Sequence, residues 1–157
     1  MSKICSFFVL CCFACGAQVE ITAQKMFADE KTSTAVFSGS VAIKRAKDTI
    51  KAEKITLTFT PNREVKRFEA EHNCSFDVTA DQNRRFTGEA DYLEYLPFEG
   101  IYKLRGHAWI EDINDKRKVY GERIELNEKT LSTQVIGEEK QPVKLIITIK
   151  DKNESDR

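Results

Sequence analysis

The residues able to do bond chemistry are few and poorly assembled. The chain has two histidines, His72 and His107, and five cysteines. Four of these, Cys5, Cys11, Cys12 and Cys15, fall in an N-terminal apolar run, which leaves Cys74 as the one thiol of the remainder. His72-Asn73-Cys74 sets an imidazole and a thiol two residues apart, on one face if the segment is a strand, and such a pair can begin a metal site. Three or four ligands are needed to finish one, and no second His or Cys pair supplies them. His107 stands between Gly106 and Ala108, on the side opposite an apolar row, where an exposed histidine is expected. Nothing corresponds to a glycine-rich phosphate loop, to HExxH or to GxSxG. No catalytic residue, metal or cofactor is therefore expected, and the chain reads as a non-enzyme whose work is binding.

The elements that would present a binding surface show in a recurring phrase of a small residue, two polar ones and an apolar one. It reads Ala23-Gln24-Lys25-Met26, Ala52-Glu53-Lys54-Ile55, Ala90-Asp91-Tyr92-Leu93 and Gly121-Glu122-Arg123-Ile124. The last three copies continue polar-apolar, which reads as the two-residue alternation of a half-buried strand. Recurrence of such units suggests a quasi-one-dimensional β architecture. A second echo joins Phe37-Ser38-Gly39-Ser40-Val41-Ala42-Ile43 to Leu104-Arg105-Gly106-His107-Ala108-Trp109-Ile110.

Turn-forming clusters punctuate the chain at short intervals: 28–31, 46–48, 60–63, 81–84, 97–100, 114–115, 127–129 and 137–139. Strand-length segments lie between them, the pattern of an all-β fold. The nearest approach to an amphipathic helix, Val19 to Phe27, also alternates through Val19, Ile21 and Ala23, and reads as strand. Elsewhere Phe37, Gly39, Val41 and Ile43 share a face, as do Ile55, Leu57 and Phe59; Leu104, Gly106, Ala108 and Ile110; and Val143, Leu145, Ile147 and Ile149. Lys44, Lys54, Thr56, Thr58, Arg105, Lys144 and Lys150 stand opposite, so one face meets an apolar interior and the other water. Trp109 falls on the outer side. Gly39 and Gly106, set within apolar rows, mark candidate bends or bulges.

At the N-terminus Lys3 precedes an apolar run to Cys15 and then Gly16-Ala17, the order of a secretory signal peptide. The expected organisation is a cleaved leader at 1–17, one β domain at 18–149 and a disordered polar tail at 150–157. Ala14-Cys15-Gly16 also resembles the end of a lipobox, which keeps acylation at Cys15 open, although Cys12 stands where leucine is usual. After cleavage a single cysteine remains and no internal disulfide can form. The chain carries 25 basic and 25 acidic residues; loss of Lys3 leaves 24 against 25, a net charge of −1. No basic excess points to nucleic acid.

Ile21-Thr22-Ala23-Gln24, Asp29, Phe37-Ser38-Gly39-Ser40-Val41 and Ile50-Lys51-Ala52-Glu53-Lys54-Ile55 together resemble the opening of the LptA/OstA-like family of periplasmic lipopolysaccharide-transport proteins. Tyr102-Lys103-Leu104-Arg105-Gly106-His107-Ala108-Trp109-Ile110, followed by Tyr120-Gly121-Glu122-Arg123-Ile124, is similar to its second half, so the likeness spans roughly 19–149. It implies an open, twisted β-jelly roll, a V-shaped pair of antiparallel sheets, located in the periplasm. It also implies that lipopolysaccharide, through its lipid A acyl chains, lies in an apolar groove lined by Phe37, Val41, Ile43, Ile55, Leu57, Phe59, Phe76, Tyr95, Leu104, Ala108, Ile110, Ile124 and Leu126. Each exposed methylene costs ~0.8 kcal/mol in water, so bare acyl chains would cost on the order of tens of kcal/mol and need such cover. The implied partners are LptC-like inner-membrane and LptD-like outer-membrane components. Val143, Leu145, Ile147 and Ile149 are the expected assembly edge of a head-to-tail homo-oligomer. Two alternatives stay open: a membrane-anchored or lipidated sister component of the same pathway, and a closed periplasmic lipid-binding barrel. Paired or unpaired sheet edges separate the last from an open roll.

Overall fold

A computed structural model describes residues 18–79, 83–130 and 132–149. The expected leader, the 150–157 tail and residues 81–82 of the 81–84 turn cluster lie outside the described residues. Among the described residues ten strands occur in chain order: β1 (Val19–Thr22), β2 (Lys25–Asp29), β3 (Thr34–Arg45), β4 (Asp48–Phe59), β5 (Val65–Thr79), β6 (Arg85–Leu96), β7 (Ile101–Asp112), β8 (Arg117–Asn127), β9 (Ser132–Ile136) and β10 (Lys144–Ile147). Valine, isoleucine, threonine and aromatic residues fill them, side chains that suit a pleated, half-buried surface. Among the described residues, turns fall at the polar clusters, and the Val19–Phe27 segment is strand in place of helix, in two pieces broken at Ala23-Gln24. All the ladders are antiparallel and belong to one continuous sheet in the order β1-β3-β4-β5-β6-β7-β8-β10, with β2 also on β3 and β9 also on β8.

What makes this ribbon a jelly roll is a line of bulges across its middle. The β3–β4 register slips at Ser38/Val41, the β5 ladders between Glu71 and Cys74, and the β7 ladders between Arg105 and Ala108. The extra residues sit in the left-handed region: Gly39 and Ser40 at φ 83° and 46°, His72 and Asn73 at 66° and 52°, Gly106 and His107 at 79° and 49°. A bulge bends its strand and steepens the local twist. Three in a row fold the sheet along one crease into two leaves, so the paired sheets of the expected jelly roll are halves of the same strands.

The recurring phrase lies against these bulges, which corrects its reading as plain alternation. In Ala52-Glu53-Lys54-Ile55 the two ends are buried and both middle residues are exposed, and Ala90-Asp91-Tyr92-Leu93 and Gly121-Glu122-Arg123-Ile124 likewise bury only their ends. Alternation slips by one residue there, so apolar residues stay inside on both sides of the crease although their spacing changes parity. The small first residue leaves room: a Cβ on Gly121 would come within 2.5 Å of Val135. In the first copy, Ala23-Gln24 is the break between β1 and β2, tied across the bulge by Gln24 N–H donating to the Gly39 carbonyl at 3.1 Å.

Each edge of the ribbon is therefore a split strand. The first leaf has β1 at one edge, on Ala42–Arg45, and β10 at the other, on Arg117–Tyr120. The second leaf has β2 on Thr34–Ser38 and β9 on Arg123–Asn127. The two edges do not pair with each other, which overturns the closed-barrel alternative.

Candidate functional site

Three rows of side chains cross the inner side, each built by residues directly opposite on successive strands. In the first leaf the row is Ile21, Ile43, Ile50, Phe76, Gly88, Ile110, Val119 and Leu145. In the second leaf the row nearer the crease is Met26, Phe37, Ile55, Ala70, Leu93, Leu104, Ile124 and Val135. Beyond it run Ala28, Ala35, Leu57, Phe68, Tyr95, Tyr102, Leu126 and Thr133. The crease itself is floored by Val41 on Ala52, Cys74 on Ala90 and Ala108 on Gly121. An apolar path thus runs from one edge of the molecule to the other.

The thirteen residues expected to line a groove all face this interior, in two classes. Phe37, Val41, Ile55, Leu57, Leu104, Ala108, Ile110 and Ile124 are buried by their neighbours and form most of the core. Ile43, Phe59, Phe76, Tyr95 and Leu126 pack on that core half-exposed. Ile21, Ile50, Phe86, Tyr102 and Val135 belong with the second class and were missed, although the inward parity of each strand could have found them. The Phe76 ring fills the space beside Gly88, which has none for a side chain of its own. At the N-terminal end the leaves stand apart around a cavity of about 280 Å³, with Val19 and Ile21 from the first leaf and Met26, Phe37, Leu57 and Phe59 from the second among its lining.

Polar chemistry is kept to the outer face and the leaf tips. Outside, Arg67 donates from Nε (2.9 Å) and Nη2 (2.5 Å) to Glu94, and the Tyr92 hydroxyl donates to Glu69 at 2.7 Å. Burial pushes the Glu94 carboxyl upward, but Arg67 and Tyr92 outweigh it and hold it below its ordinary value. Also outside, Trp109 Nε1–H donates to Glu89 at 3.1 Å, with the Lys118 ammonium 4.1 Å over the indole and Lys144 5.6 Å from the Tyr120 ring. The Lys144–Tyr120 cation–π contact helps hold β10 on β8, since the four residues of β10 are all exposed. At the tip of the first leaf Asp112, 6% exposed, accepts from Arg84 at 2.6 Å and from the Asp115 N–H. Burial raises its carboxyl, and these partners overcome that and hold it low.

The histidine–cysteine pair does not form. The β5 bulge intervenes, leaving His72 exposed while Cys74 is buried with Sγ 3.6 Å from the Asp91 carbonyl; burial pushes the thiol up to about 11. His107 is on the outside of the crease, 2.9 Å from Asp91, whose hydrogen bond and charge raise the imidazole.

Most of the exposed large apolar residues lie at the edges, Met26 and Phe27 at one and Ile136, Val143, Leu145, Ile146, Ile147 and Ile149 at the other, while Phe98 and Ile113 sit on hairpin turns. Leu145 extends the first-leaf row through Val119, and Ile147 lies opposite Arg117 on the same side.

The LptA/(LptD N-terminal domain) LPS transport protein family matches residues 20–131. No curated protein matches the chain. Among solved structures the fold is similar to LptH from Pseudomonas aeruginosa, described as the LptA-homologous periplasmic component of the conserved lipopolysaccharide transport device. The TM-score is 0.71 at 13% identity, covering 84% of this chain and 96% of that one.

Proposed function

The chain belongs to the LptA/(LptD N-terminal domain) family of LPS transport proteins, and from that premise we propose that it is a periplasmic carrier passing lipopolysaccharide between inner- and outer-membrane complexes. The observation that supports this most is the inner apolar path with no wall at either end. A closed lipid-binding barrel would end its rows against paired strands; here they end in exposed Met26 and Leu145. Acyl chains in the path would be shielded while the sugar head stays at the mouth.

The edges suggest how copies join. β1 and β10 run in opposite senses, because each ladder between them is antiparallel and an odd number of reversals separates them. Setting β9/β10 of one copy beside β1/β2 of the next, leaf to leaf, therefore makes an antiparallel ladder that continues the rows from Leu145 into Ile21 and from Val135 into Met26. Such a contact is heterologous and does not close, so it repeats along the path. LptC-like and LptD-like components would offer the same kind of edge at the two ends.

Photo-crosslinkers at Ile43 and Leu126, half-exposed inside, should capture lipopolysaccharide, and those at Lys44 and Glu125, next to them and facing out, should not. Equal labelling on both sides would exclude the groove as the lipid path.

A further inference from the structure

The first-leaf row has one low place. Ile21, Ile43, Ile50, Ile110, Val119 and Leu145 each give it a branched side chain, but between Phe76 on β5 and Ile110 on β7 the strand β6 contributes only Gly88. Gly88 is not in the left-handed region that favours glycine, so space and not backbone conformation calls for it. A Cβ there would press on Cζ of the Phe76 ring, and would lie 2.6 Å from its Cε1 and 2.5 Å from the Trp109 carbonyl oxygen. A glycine inside a strand marks a close approach of this kind.

Cζ and Cε1 are the far end of the Phe76 side chain, yet they occupy the level at which a residue on the next strand would begin its own. The ring therefore lies along the sheet, reaching from β5 across the ~4.8 Å between neighbouring strands to β6, instead of standing out from it. One ring floors two strands. Phe76 keeps accessible surface, being half-exposed and packed on the core from the inner side, whereas Gly88 beneath it is buried. Along β6 the next inward residues are Phe86 towards the leaf tip and the small Ala90 at the crease, so a large side chain returns only towards the tip.

We infer that Phe76, laid down over Gly88, cuts a trough in the floor of the apolar path at mid-length and so sets the bulk of the amphiphile that the path accepts. Phe76 is the residue the chains touch there, and Gly88 is a positioning residue that lets the ring lie down. A single acyl chain can run past upright isoleucines on any strand; several chains side by side need the extra depth. The ligand class selected is therefore an amphiphile with many chains on one head, in preference to one with few. This rests on the carrier function proposed above and adds what decides its choice of lipid.

The test is displacement of a fluorescent apolar probe from the purified protein, in one detergent, by lipid A with its full set of acyl chains and by the same phosphorylated disaccharide with its secondary chains removed. The ratio of the two affinities is the readout, because a ring that only packed the core would change the melting temperature and leave that ratio alone. Phe76→Ala should raise the ratio in favour of the fully acylated lipid by about tenfold, and Phe76→Trp should lower it by a similar factor, the scale on which an apolar pocket separates ligands that differ by a methylene. Gly88→Ala should lower it too, by lifting the ring. That substitution also presses on the Trp109 carbonyl, so the double variant Gly88→Ala/Phe76→Ala separates the two causes. A ratio restored to the parent's or above it assigns the effect to the ring, and a ratio that stays low overturns the positioning role of Gly88. The Phe76 variants leave the glycine untouched and decide the trough even where Gly88→Ala does not fold. Equal ratios in the parent, Phe76→Ala and Phe76→Trp proteins would overturn the trough while leaving the carrier intact. Displacement by neither lipid would bring down the carrier function itself.

Discussion

The two leaves are made from the same strands and face the same interior, yet they bury their side chains differently. In the second leaf Phe37, Ile55, Ala70, Leu93, Leu104 and Ile124 form an unbroken row of buried residues. In the first leaf Ile21, Ile43, Ile50 and Phe76 remain half-exposed, and Ile110 is the one large side chain of the row that is buried. The difference teaches that an apolar interior can be divided by task. The second leaf has already traded its water for protein contacts and contributes stability, whereas the first still has surface to lose and can gain from a ligand.

The comparison breaks most sharply under charge. Ile55→Asp, which puts a carboxylate at a fully buried position, should cost several kcal/mol and abolish the cooperative thermal transition in circular dichroism. Ile43→Asp should leave a folded β protein, its melting temperature lowered by a few degrees, that no longer crosslinks to lipid. The milder pair makes the same point: Ile55→Ala should cost about 3 kcal/mol in urea titration and Ile43→Ala about 1 kcal/mol. Equal costs would mean that the leaves are energetically alike.

A second contrast is between the ends. Deleting 143–157 removes β10 and its exposed apolar residues but none of the buried row, so sedimentation should show a folded monomer at concentrations where the parent forms end-to-end oligomers. Deleting only 151–157 should change little. Oligomers that survive the longer deletion would place the junction elsewhere.

Acid should weaken both leaves together, because each has a buried carboxylate held by arginine. Glu94 and Asp112 both titrate below their ordinary values of 4.5 and 3.8. Their contribution is whole above those values, where the unfolded chain is also ionised, and drains away as pH falls below them through the lower folded-state values. The urea midpoint should therefore be flat near neutrality and drop below about pH 4.5, with a shallower drop in Asp112→Asn. The smallest effect is at the crease: Cys74, buried with its thiol raised to about 11, should resist alkylating reagents at pH 8 until the protein is unfolded. Fast labelling of the native protein would mean that the crease opens.

Much of the architecture was legible because β structure writes its inward face into alternate residues. The strand identity of 19–27, the inward parity of Phe37, Ile43, Leu104 and Ile110, and the bulges at Gly39 and Gly106 were all readable. The third bulge was hidden because it uses His72 and Asn73. Asparagine tolerates the left-handed region, and aligning Ala70-Glu71-His72-Asn73-Cys74-Ser75-Phe76 with the two glycine-bearing copies would have exposed it. The outward turn of both middle residues in each phrase was hidden for the same reason, since it exists only in register with a neighbour's bulge. Which inner residues are buried and which keep exposed surface could not be read from parity, because that depends on how close the leaves stand.

The bulges that crease the sheet also separate girth from reach. Each hairpin carries its own bend at the same height, so cross-section is decided strand by strand while length is decided by how many strands, or copies, stand side by side. Losing one residue from a bulge would turn half a strand inside out, putting its lysines in the channel and its isoleucines in water. Adding a whole hairpin with its bend would only lengthen the channel. A chain of this design can therefore drift widely in sequence and grow by units, but it cannot change by a single residue at the crease.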